Sequence, residues 1–439
     1  MQAFIYQQIF TNKYKVRHMN KPIRPSRSLI LSLSSAAILA AAFAAPLAHA
    51  ENVKIAFIDP LSGTFAPIGQ NQLHSFQMLA EMANQQHWAG DNTIEIVGFD
   101  NKGSPQESLT QLKNAIDQGF HYITQGNGSG AGLALIDAIN KHNERNPGQE
   151  IVYLNHAAVD PDMTNSKCSF WHFRFDANSD MKMEALTTFM AKDKGIKKVY
   201  VISQNYSFGH QVSRAAKEYL KRKRPDIEIV GDDFHPIATV KDFSPYVAKI
   251  KASGADTVIT GNWGADLSLL IKASKDAGLN VNFYTYYGAT TGVPTAMGAS
   301  GADHVKYVGY WNANNDGFVG HEVVDAFKKK YNDDYYAMAT YTVVEMLTKA
   351  IKDSKSTNPI KVAYALEGMK VKDLNGEVEM RKSDHQLQQP LYIATWVKTD
   401  GKTVKYDQEN TGYGWKTNEK IDTYVGTQPT SCQMTRPAQ

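Results

Sequence analysis

The stretch from Lys54 to Asn84 constrains the fold more than any other part of this sequence. It opens with an apolar run, residues 53–58, of the kind that forms a strand buried on both faces of a parallel sheet. The run ends at Asp59-Pro60, and a loop rich in Ser, Gly and Pro follows. From Gln70 onward, apolar residues recur every three or four positions, which predicts an amphipathic helix. Strand, loop and helix open a βαβ unit, and ligands of open α/β sheets bind at such strand-end loops.

The alternation of strands and helices then repeats in two sets along the chain. The predicted strands are residues 93–100, 122–124 and 151–155 in the first set, and 198–203, 227–230, 256–260 and 283–287 in the second. Residues 123–127 (ITQGN) resemble residues 259–262 (ITGN), and an Ile follows the Asn nine residues later in both places. Two similar α/β lobes explain this similarity most simply, and chance similarity is the alternative. Near the C-terminus, residues 378–380 and 391–398 predict a pair of strands.

Residues 1–50 have the composition of a signal peptide. Basic residues precede an apolar stretch at 29–45, and Ala48-His49-Ala50 fits a small-x-small cleavage site, which predicts cleavage after Ala50. A membrane anchor is the alternative, but the apolar stretch is short for a spanning helix. Met19 is an alternative start. We therefore expect an exported, periplasmic protein.

Removal of the first 50 residues changes the charge of the chain. Six Lys and Arg residues leave with the segment and no carboxylate does, so 41 basic and 44 acidic residues remain, a net charge of −3. The basic character of the precursor is therefore no sign of nucleic-acid binding. The rest of the chain exceeds what one hydrophobic core usually supports, which predicts two domains.

The sequence contains two cysteines, Cys168 and Cys432. In an exported protein an even number favours a disulfide, which here would tie the C-terminal tail to the middle of the chain. Two unpaired thiols are the alternative. A metal site is not expected, because neither cysteine has a second Cys or a His at ligand spacing.

Signatures of enzymes are missing. Ala131 occupies the last glycine position of a dinucleotide-binding fingerprint that would begin at Gly126, and no phosphate-binding G-x-x-x-x-G-K-[ST] motif occurs. No serine lies in a G-x-S-x-G elbow, and His321 has no second His at zinc-protease spacing. We therefore expect no catalysis, no cofactor and no bound metal.

The first strand, the motif P-L-S-G-x-x-A-x-x-G at 60–69 and the following helix together resemble the solute-binding proteins of ABC transporters of the branched-chain-amino-acid type. The resemblance covers most of residues 51–400. It implies the type I periplasmic binding fold, an α/β architecture in which two similar doubly wound lobes with parallel sheets are joined by three hinge crossovers. The crossovers would lie near 174–176, 311–314 and 388–390.

The resemblance also implies a domain division and a function. Residues 51–174 with 314–388 would form the N-terminal lobe, 175–313 with 389–410 the C-terminal lobe, and 411–439 a tail. The protein would capture a small-molecule ligand by hinge closure and deliver it to an inner-membrane ABC permease, as a monomer without cofactor or nucleic acid. A ligand-sensing module is the alternative within the same fold. An exported hydrolase would need a nucleophile and a base that no motif identifies.

The family binds its ligand at the strand-end loops of both lobes. Carried onto this sequence, the site residues are Ser62, Phe65, Ile68, Asn127, Gly128, Ser129, Asn155, His156, Ala157 and Ala158 in the first lobe, and Asn205, Tyr206, Trp263 and Tyr287 in the second. Backbone N–H groups at 127–129 would hold a ligand carboxylate. A tight turn is the alternative role for the glycines there, and core packing is the alternative for the aromatic residues.

Two departures from the family bear on the ligand. Tyr287 stands where amino-acid binders place the acidic residue that meets the ligand's ammonium, and Val159 replaces a Thr that holds the same head group. A buried ammonium without a carboxylate partner is costly. The resemblance therefore favours an aromatic or short aliphatic carboxylate, or a neutral amide-like solute, over an α-amino acid. An amino-acid binder proper, with leucine, isoleucine or valine as ligand, is the alternative.

Overall fold

A computed structural model describes residues 50–438 of the chain, so the predicted signal peptide lies outside the described residues apart from Ala50. The first set of elements comprises β1 (Asn52–Asp59), α1 (Ala66–Gln85), β2 (Thr93–Asp100), α2 (Pro105–Asp117), β3 (Tyr122–Gln125), α3 (Ser129–Arg145), β4 (Val152–Asn155) and β5 (His172–Arg174). The second comprises α4 (Ser179–Met190), β6 (Lys198–Gln204), α5 (Ser207–Lys223), β7 (Glu228–His235), α6 (Ser244–Ser253), β8 (Thr257–Thr260), α7 (Gly264–Asp276), β9 (Asn282–Thr285), α8 (Val293–Met297) and β10 (Val305–Gly309). The third comprises α9 (His321–Tyr331), α10 (Ala339–Ser354), α11 (Pro359–Leu366), β11 (Lys370–Asp373), β12 (Gly376–Met380), β13 (Leu387–Gln388), β14 (Leu391–Lys398), β15 (Tyr413–Ile421) and α12 (Thr423–Gly426). No helix among residues 50–438 combines the length and the apolar character needed to cross a membrane.

Two large sheets form the centres of two lobes. The first is wholly parallel with the order β2-β1-β3-β4-β5. The second has the order β15-β14-β10-β9-β8-β6-β7, in which β6 to β10 are parallel and β14 and β15 run antiparallel along one edge. The α/β class with two lobes is confirmed, and the antiparallel edge is an addition that the sequence did not predict. The predicted pairing of 378–380 with 391–398 is wrong, because β12 pairs with β11 and β13 in a separate small sheet.

The repeated ITQGN and ITGN segments occupy equivalent positions in the two lobes. The first belongs to β3 and the second to β8. In the sheet orders β2-β1-β3-β4-β5 and β7-β6-β8-β9-β10, β3 and β8 are both the central strand. The two lobes therefore share one topology, as the sequence similarity indicated.

Strand β1 is buried on both faces, as its apolar run predicts. Ile55 and Phe57 pack in a core that contains residues of α1 and α10, whereas Ala56 and Ile58 pack with residues of α2 and α3 in a core on the opposite face. Helices therefore cover both sides of the parallel sheet. This arrangement fixes the end of β1, at Asp59, at the edge of the sheet where the loops collect.

The segment after residue 410 is more than a tail. Tyr413–Ile421 forms β15 along the edge of the second sheet, and the chain then returns to the first lobe. There the predicted disulfide joins Cys432 to Cys168. The Arg436 side chain donates to Glu367 at 2.7 Å, and the Tyr364 hydroxyl donates to the Pro437 carbonyl at 2.5 Å. The tail therefore adds a connection between the lobes beyond the three predicted crossovers.

A pair of carboxyl groups in the first lobe predicts a pH dependence of stability. Burial and the nearby Asp373 raise the pKa of Glu345 to about 8. Because the pKa of Glu345 is raised in the folded state, the contribution of this group to the free energy of unfolding is fully present below about pH 4.5. That contribution is lost as the pH rises through about 8. The parent protein should therefore lose stability over this range while Glu345→Gln does not. We expect the free energy of unfolding of Glu345→Gln, relative to that of the parent protein, to rise by on the order of 3 kcal/mol between pH 5 and pH 9.

Urea unfolding at both pH values measures this difference. Glu379→Gln is the matched control, because that carboxylate is 44% exposed and pairs with Lys370 at the surface. Parallel stability curves for Glu345→Gln and the parent protein across this range would contradict the assignment.

Candidate functional site

The carboxyl ends of the central strands of both lobes face each other across a small cavity. It has a volume of about 50 Å³. Its walls come from α1, from the loops after β3 and β4 in the first lobe, and from the loops after β6, β8 and β9 in the second. The residues that line it are Ile68, Gln72, Gly126, Asn127, Gly128, Ser129, Ala157, Val159, Tyr206, Phe208, Trp263, Tyr287 and Thr290.

A buried carboxylate in the first lobe holds the loop after β3 in place. The Asp59 carboxylate, at the end of β1, accepts the backbone N–H groups of Gly126 and Asn127 at 2.9 and 2.8 Å. Burial raises the pKa of Asp59 to about 7, and these hydrogen bonds oppose that rise. His156 lies 3.5 Å from the same carboxylate, and burial lowers the pKa of its ring to about 3, so the ring is neutral. Asp59 therefore fixes the loop after β3 and is not itself exposed to a ligand.

The side chain of Asn155, at the end of β4, holds the loop that follows this strand. The Asn155 amide oxygen accepts the N–H groups of Ala157 and Ala158 at 3.2 and 2.8 Å. Those N–H groups, like that of Asn127, therefore already have acceptors in this structure. Gln72 Oε1 accepts from the Asn127 side chain at 2.6 Å, which leaves Gln72 Nε2 without an acceptor among the described residues. The free donors on this side of the cavity are Gln72 Nε2 and the N–H groups that begin α3.

Three helices begin at the cavity without a side-chain cap. They are α3, α5 and α7, and the residues that precede them, Gly128, Tyr206 and Trp263, all line the cavity. None of the three helix starts has a side-chain hydrogen bond to its first N–H groups. An uncapped helix start carries a partial positive charge and unpaired donors. Three of them around one small cavity favour an anionic group.

Aromatic rings close the cavity between the lobes. The Phe65 ring, just before α1, stacks on the Trp263 ring of the second lobe with 4.0 Å between ring centroids. The Trp263 indole N–H donates to the Tyr206 hydroxyl at 2.9 Å, which orients both rings. Burial raises the pKa of Tyr206 above its ordinary value, so its hydroxyl stays neutral. The structure is therefore that of a closed cleft.

A larger compartment of about 250 Å³ adjoins the first. The two share five lining residues, Ile68, Gln72, Ala157, Tyr287 and Thr290. The larger compartment also contains a buried ion pair, with Lys182 Nζ 2.7 Å from Asp176 Oδ2. Burial lowers the pKa of Lys182 and raises that of Asp176, and their mutual attraction opposes both shifts.

Eight of the fourteen predicted site residues line the small cavity: Ile68, Asn127, Gly128, Ser129, Ala157, Tyr206, Trp263 and Tyr287. The other six do not. Phe65 covers it by stacking on Trp263, while Asn155, His156 and Ala158 are buried beneath the loops. Ser62 is exposed and donates to Asp100, and Asn205 is exposed and bonds to His210.

Several lining residues escaped the sequence analysis, among them Gln72, Phe208, Thr290, Asp176 and Lys182. Gln72 had a usable signal, because it is a polar residue one turn after Ile68 on the face of α1 that points to the site loops. Strand β9 ends at Thr285 and not at Tyr287, so the alternation of a strand no longer applies to the last two residues. Tyr286 and Tyr287 consequently both line the larger compartment.

Gly264, at the start of α7, sets how closely the lobes approach. Its φ is +57°, and a Cβ atom there would lie 2.9 Å from Ile68 Cδ1 and 3.3 Å from the Phe65 ring of the other lobe. We expect Gly264→Ala to weaken ligand binding at least tenfold, because the added methyl group holds the cleft open. Titration calorimetry with any ligand that binds the parent protein measures this effect.

Gly278→Ala is the matched control for Gly264→Ala. Its φ of +61° imposes a similar backbone strain, but no atom lies within 4 Å of the added Cβ. Equal losses of affinity in the two variants would show that strain, and not contact between the lobes, is the cause.

Comparison with known proteins identifies the family. A family model described as "Periplasmic binding protein" matches residues 52–402. The chain belongs to the periplasmic binding protein family. The expected family is thereby confirmed, and the chain is the solute-binding component of an ABC transporter. Periplasmic binding proteins bind small molecules for delivery to a permease and are in general not enzymes, and the family implies export to the periplasm.

The similarity to relatives extends over nearly the whole chain. The Leu/Ile/Val-binding protein homolog 4 of Brucella abortus (strain 2308) is 33% identical over 402 residues, covering 89% of this chain and 94% of that protein. The crystal structure of a leucine-, isoleucine-, valine-, threonine- and alanine-binding protein from Brucella ovis, in a closed conformation, superposes with a TM-score of 0.79. It is 32% identical and covers 88% of this chain and 100% of that one. A solute-binding protein from R. palustris in complex with 4-hydroxybenzoate has a TM-score of 0.72 at 22% identity, covering 84% of this chain and 97% of that one.

Proposed function

We propose that this periplasmic binding protein captures a small organic carboxylate that carries no free ammonium group, either aromatic or short aliphatic. One observation carries the proposal: three uncapped helix starts surround a small cavity whose lining, among the described residues, contains neither Asp nor Glu. The helix starts offer donors and partial positive charge to a carboxylate. An ammonium held in this cavity would have no anionic partner among its lining residues, and the Asp176 carboxylate of the adjoining compartment is already paired with Lys182.

In this proposal the first lobe binds the carboxylate. The N–H groups of Gly128 and Ser129, which begin α3, have no acceptor among the described residues and are the donors that we assign to it. The Ser129 hydroxyl accepts the Asp160 N–H at 3.2 Å and keeps its own proton free to donate. Gln72 Nε2 supplies a further donor from α1.

The second lobe would cover the apolar part of the ligand. Trp263, Tyr206 and Tyr287 line the cavity from the second lobe, and Ile68 lines it from the first. Aromatic and aliphatic walls with a few oriented donors suit a small, largely apolar solute. Hinge closure would then bury the ligand and produce the closed form that the permease recognises.

The named ligands of the relatives support both classes of solute. Some relatives are described as binding leucine, isoleucine and valine, and others with this fold were solved with 4-hydroxybenzoate, 3,4-dihydroxybenzoic acid or benzoate. The absence of a carboxylate among the described residues that line the small cavity favours the acids over the amino acids. We further propose a first lobe of residues 51–174 with 314–388, a second lobe of 175–313 that continues from 389 through β15, a cleaved signal peptide and a monomeric protein.

A thermal-shift screen of residues 51–439 tests the proposal. The panel contains benzoate, 4-hydroxybenzoate, short aliphatic acids, amides including urea, and the common amino acids. A ligand at about 100 times its dissociation constant should stabilise the protein by roughly 2.7 kcal/mol, which raises the melting temperature measurably. Stabilisation by acids and not by amino acids is expected. Stabilisation by leucine or valine alone would overturn the proposal in favour of amino-acid binding.

A further inference from the structure

Lys182 is the unusual group in the larger compartment. Its side chain is only 2% exposed, and its ammonium has a single hydrogen bond among the described residues, to Asp176 Oδ2 at 2.7 Å. An ammonium has three protons to donate. Two of them therefore lack an acceptor among the described residues, at the wall of the larger compartment. Buried donors are almost always satisfied, so a water molecule or a ligand oxygen in that compartment is needed to accept from them.

The position of Lys182 relates it to the ligand cavity. Its Nζ lies 4.8 Å from the centroid of the Tyr287 ring and 5.8 Å from that of Tyr310. Tyr287 lines both the small cavity and the larger compartment. Lys182 therefore lies in the larger compartment beside Tyr287, a residue that lines both compartments.

The two compartments differ in the groups they offer. The small cavity has uncapped helix starts and no charged side chain in its lining. The larger compartment has several charged side chains, of which Lys182 and Asp176 form a buried pair beside Tyr287; the others are Asp325, Lys328, Asp334, Lys405 and Asp407. A solute that fills only the small cavity would leave the ammonium's two protons unused. A longer solute would reach them with its far end.

We propose that Lys182 recognises a hydrogen-bond acceptor oxygen at the distal end of the ligand. The ligand class is then a carboxylate whose aromatic ring or aliphatic chain carries a second oxygen group, such as a hydroxyl, a carbonyl or a second carboxylate. The first carboxylate binds at the start of α3, the apolar middle lies along Tyr287, and the second oxygen accepts from Lys182. Asp176 holds the ammonium in place and neutralises its charge. This inference rests on the function proposed above.

Matched pairs of ligands test the assignment. Benzoate is compared with 4-hydroxybenzoate and with terephthalate, and hexanoate with adipate, by titration calorimetry on the full exported chain. In the parent protein, at least one compound with a distal oxygen should bind tenfold or more tightly than its partner without it. In the double variant Lys182→Met/Asp176→Asn, which removes both charges and so avoids an unpaired buried carboxylate, that advantage should disappear while the partner compound binds as before.

A lysine outside both compartments provides the control variant. Lys223→Met removes another partly buried lysine, one that pairs with Glu184 at 2.7 Å and lies outside both compartments, and it should leave the advantage intact. An advantage that persists in the double variant, or no advantage in any pair, would overturn the role of Lys182 while leaving carboxylate binding in place. Failure of every acid to bind the parent protein, with amino acids binding instead, would overturn the proposed function itself.

Discussion

Lys182→Met should lower the free energy of unfolding by about 3–5 kcal/mol, because it leaves the Asp176 carboxylate alone in a buried site. Both side chains are almost fully buried, at 2% and 3% exposure. The nearby Arg174 guanidinium does not replace the lost partner, because its hydrogen bonds go to Gln386, Asp160 and Thr164. Urea unfolding followed by circular dichroism measures the change.

The double variant separates the ion pair from the packing around it. Lys182→Met/Asp176→Asn removes both charges, and we expect it to recover at least half of the stability that the single variant loses. Lys113→Met is the surface control, because its partner Asp117 and the lysine itself are 56% and 74% exposed. The free energy of unfolding of Lys113→Met should be lower than that of the parent protein by less than about 1 kcal/mol. Equal destabilisation by the single and double variants would contradict the importance of the unpaired charge.

Loss of the disulfide should cost a comparable amount of stability. Cys168→Ser/Cys432→Ser opens a link between residues 264 positions apart, and removal of such a link is expected to cost about 2–5 kcal/mol through the added freedom of the unfolded chain. The tail would keep its hydrogen bonds from Arg436 to Glu367 and from Tyr364 to Pro437. Urea unfolding of the variant, with the reduced parent protein as the matched comparison, measures the loss.

Chemical reduction of the parent protein tests the same disulfide without a substitution. The link holds the tail that runs from α12 in the second lobe back to the first lobe. The reduced parent protein and the double variant should therefore unfold at the same urea concentration, and both below the oxidised protein. Reduction that leaves the midpoint unchanged would show that the tail contributes nothing to stability beyond its local contacts.

The repeated patterns of this sequence predicted its framework well. The apolar run at 53–58 and the spacing of apolar residues after Gln70 depend on burial along single elements, and both are local properties. Ser104 caps α2 by accepting the Glu107 N–H, a contact typical of a Ser that is followed three residues later by Glu. The similarity between the segments that begin at Ile123 and Ile259 predicted two similar lobes, and the structure places each segment in the central strand of its lobe. The disulfide followed from a count of two cysteines in an exported chain.

The parts that escaped prediction depend on contacts between distant residues. Strand β14 pairs with β10 and β15, and not with β12. The sequence of residues 391–398 does not determine this choice, because such a strand could pair in either sheet. Lys182 lies in a helix start with several polar residues and gives no local sign that it is buried. Its role becomes visible only when Tyr287, more than a hundred residues later, is seen beside it.

Leucine and 4-methylpentanoate differ in one group only, the ammonium, and their relative affinities test the central claim most directly. Titration calorimetry of both against the purified chain gives the comparison without reference to any other ligand. We predict that 4-methylpentanoate binds more tightly, because no Asp or Glu among the described residues lines the small cavity beside the three helix starts. Tighter binding of leucine would contradict the account and identify the protein as an amino-acid receptor.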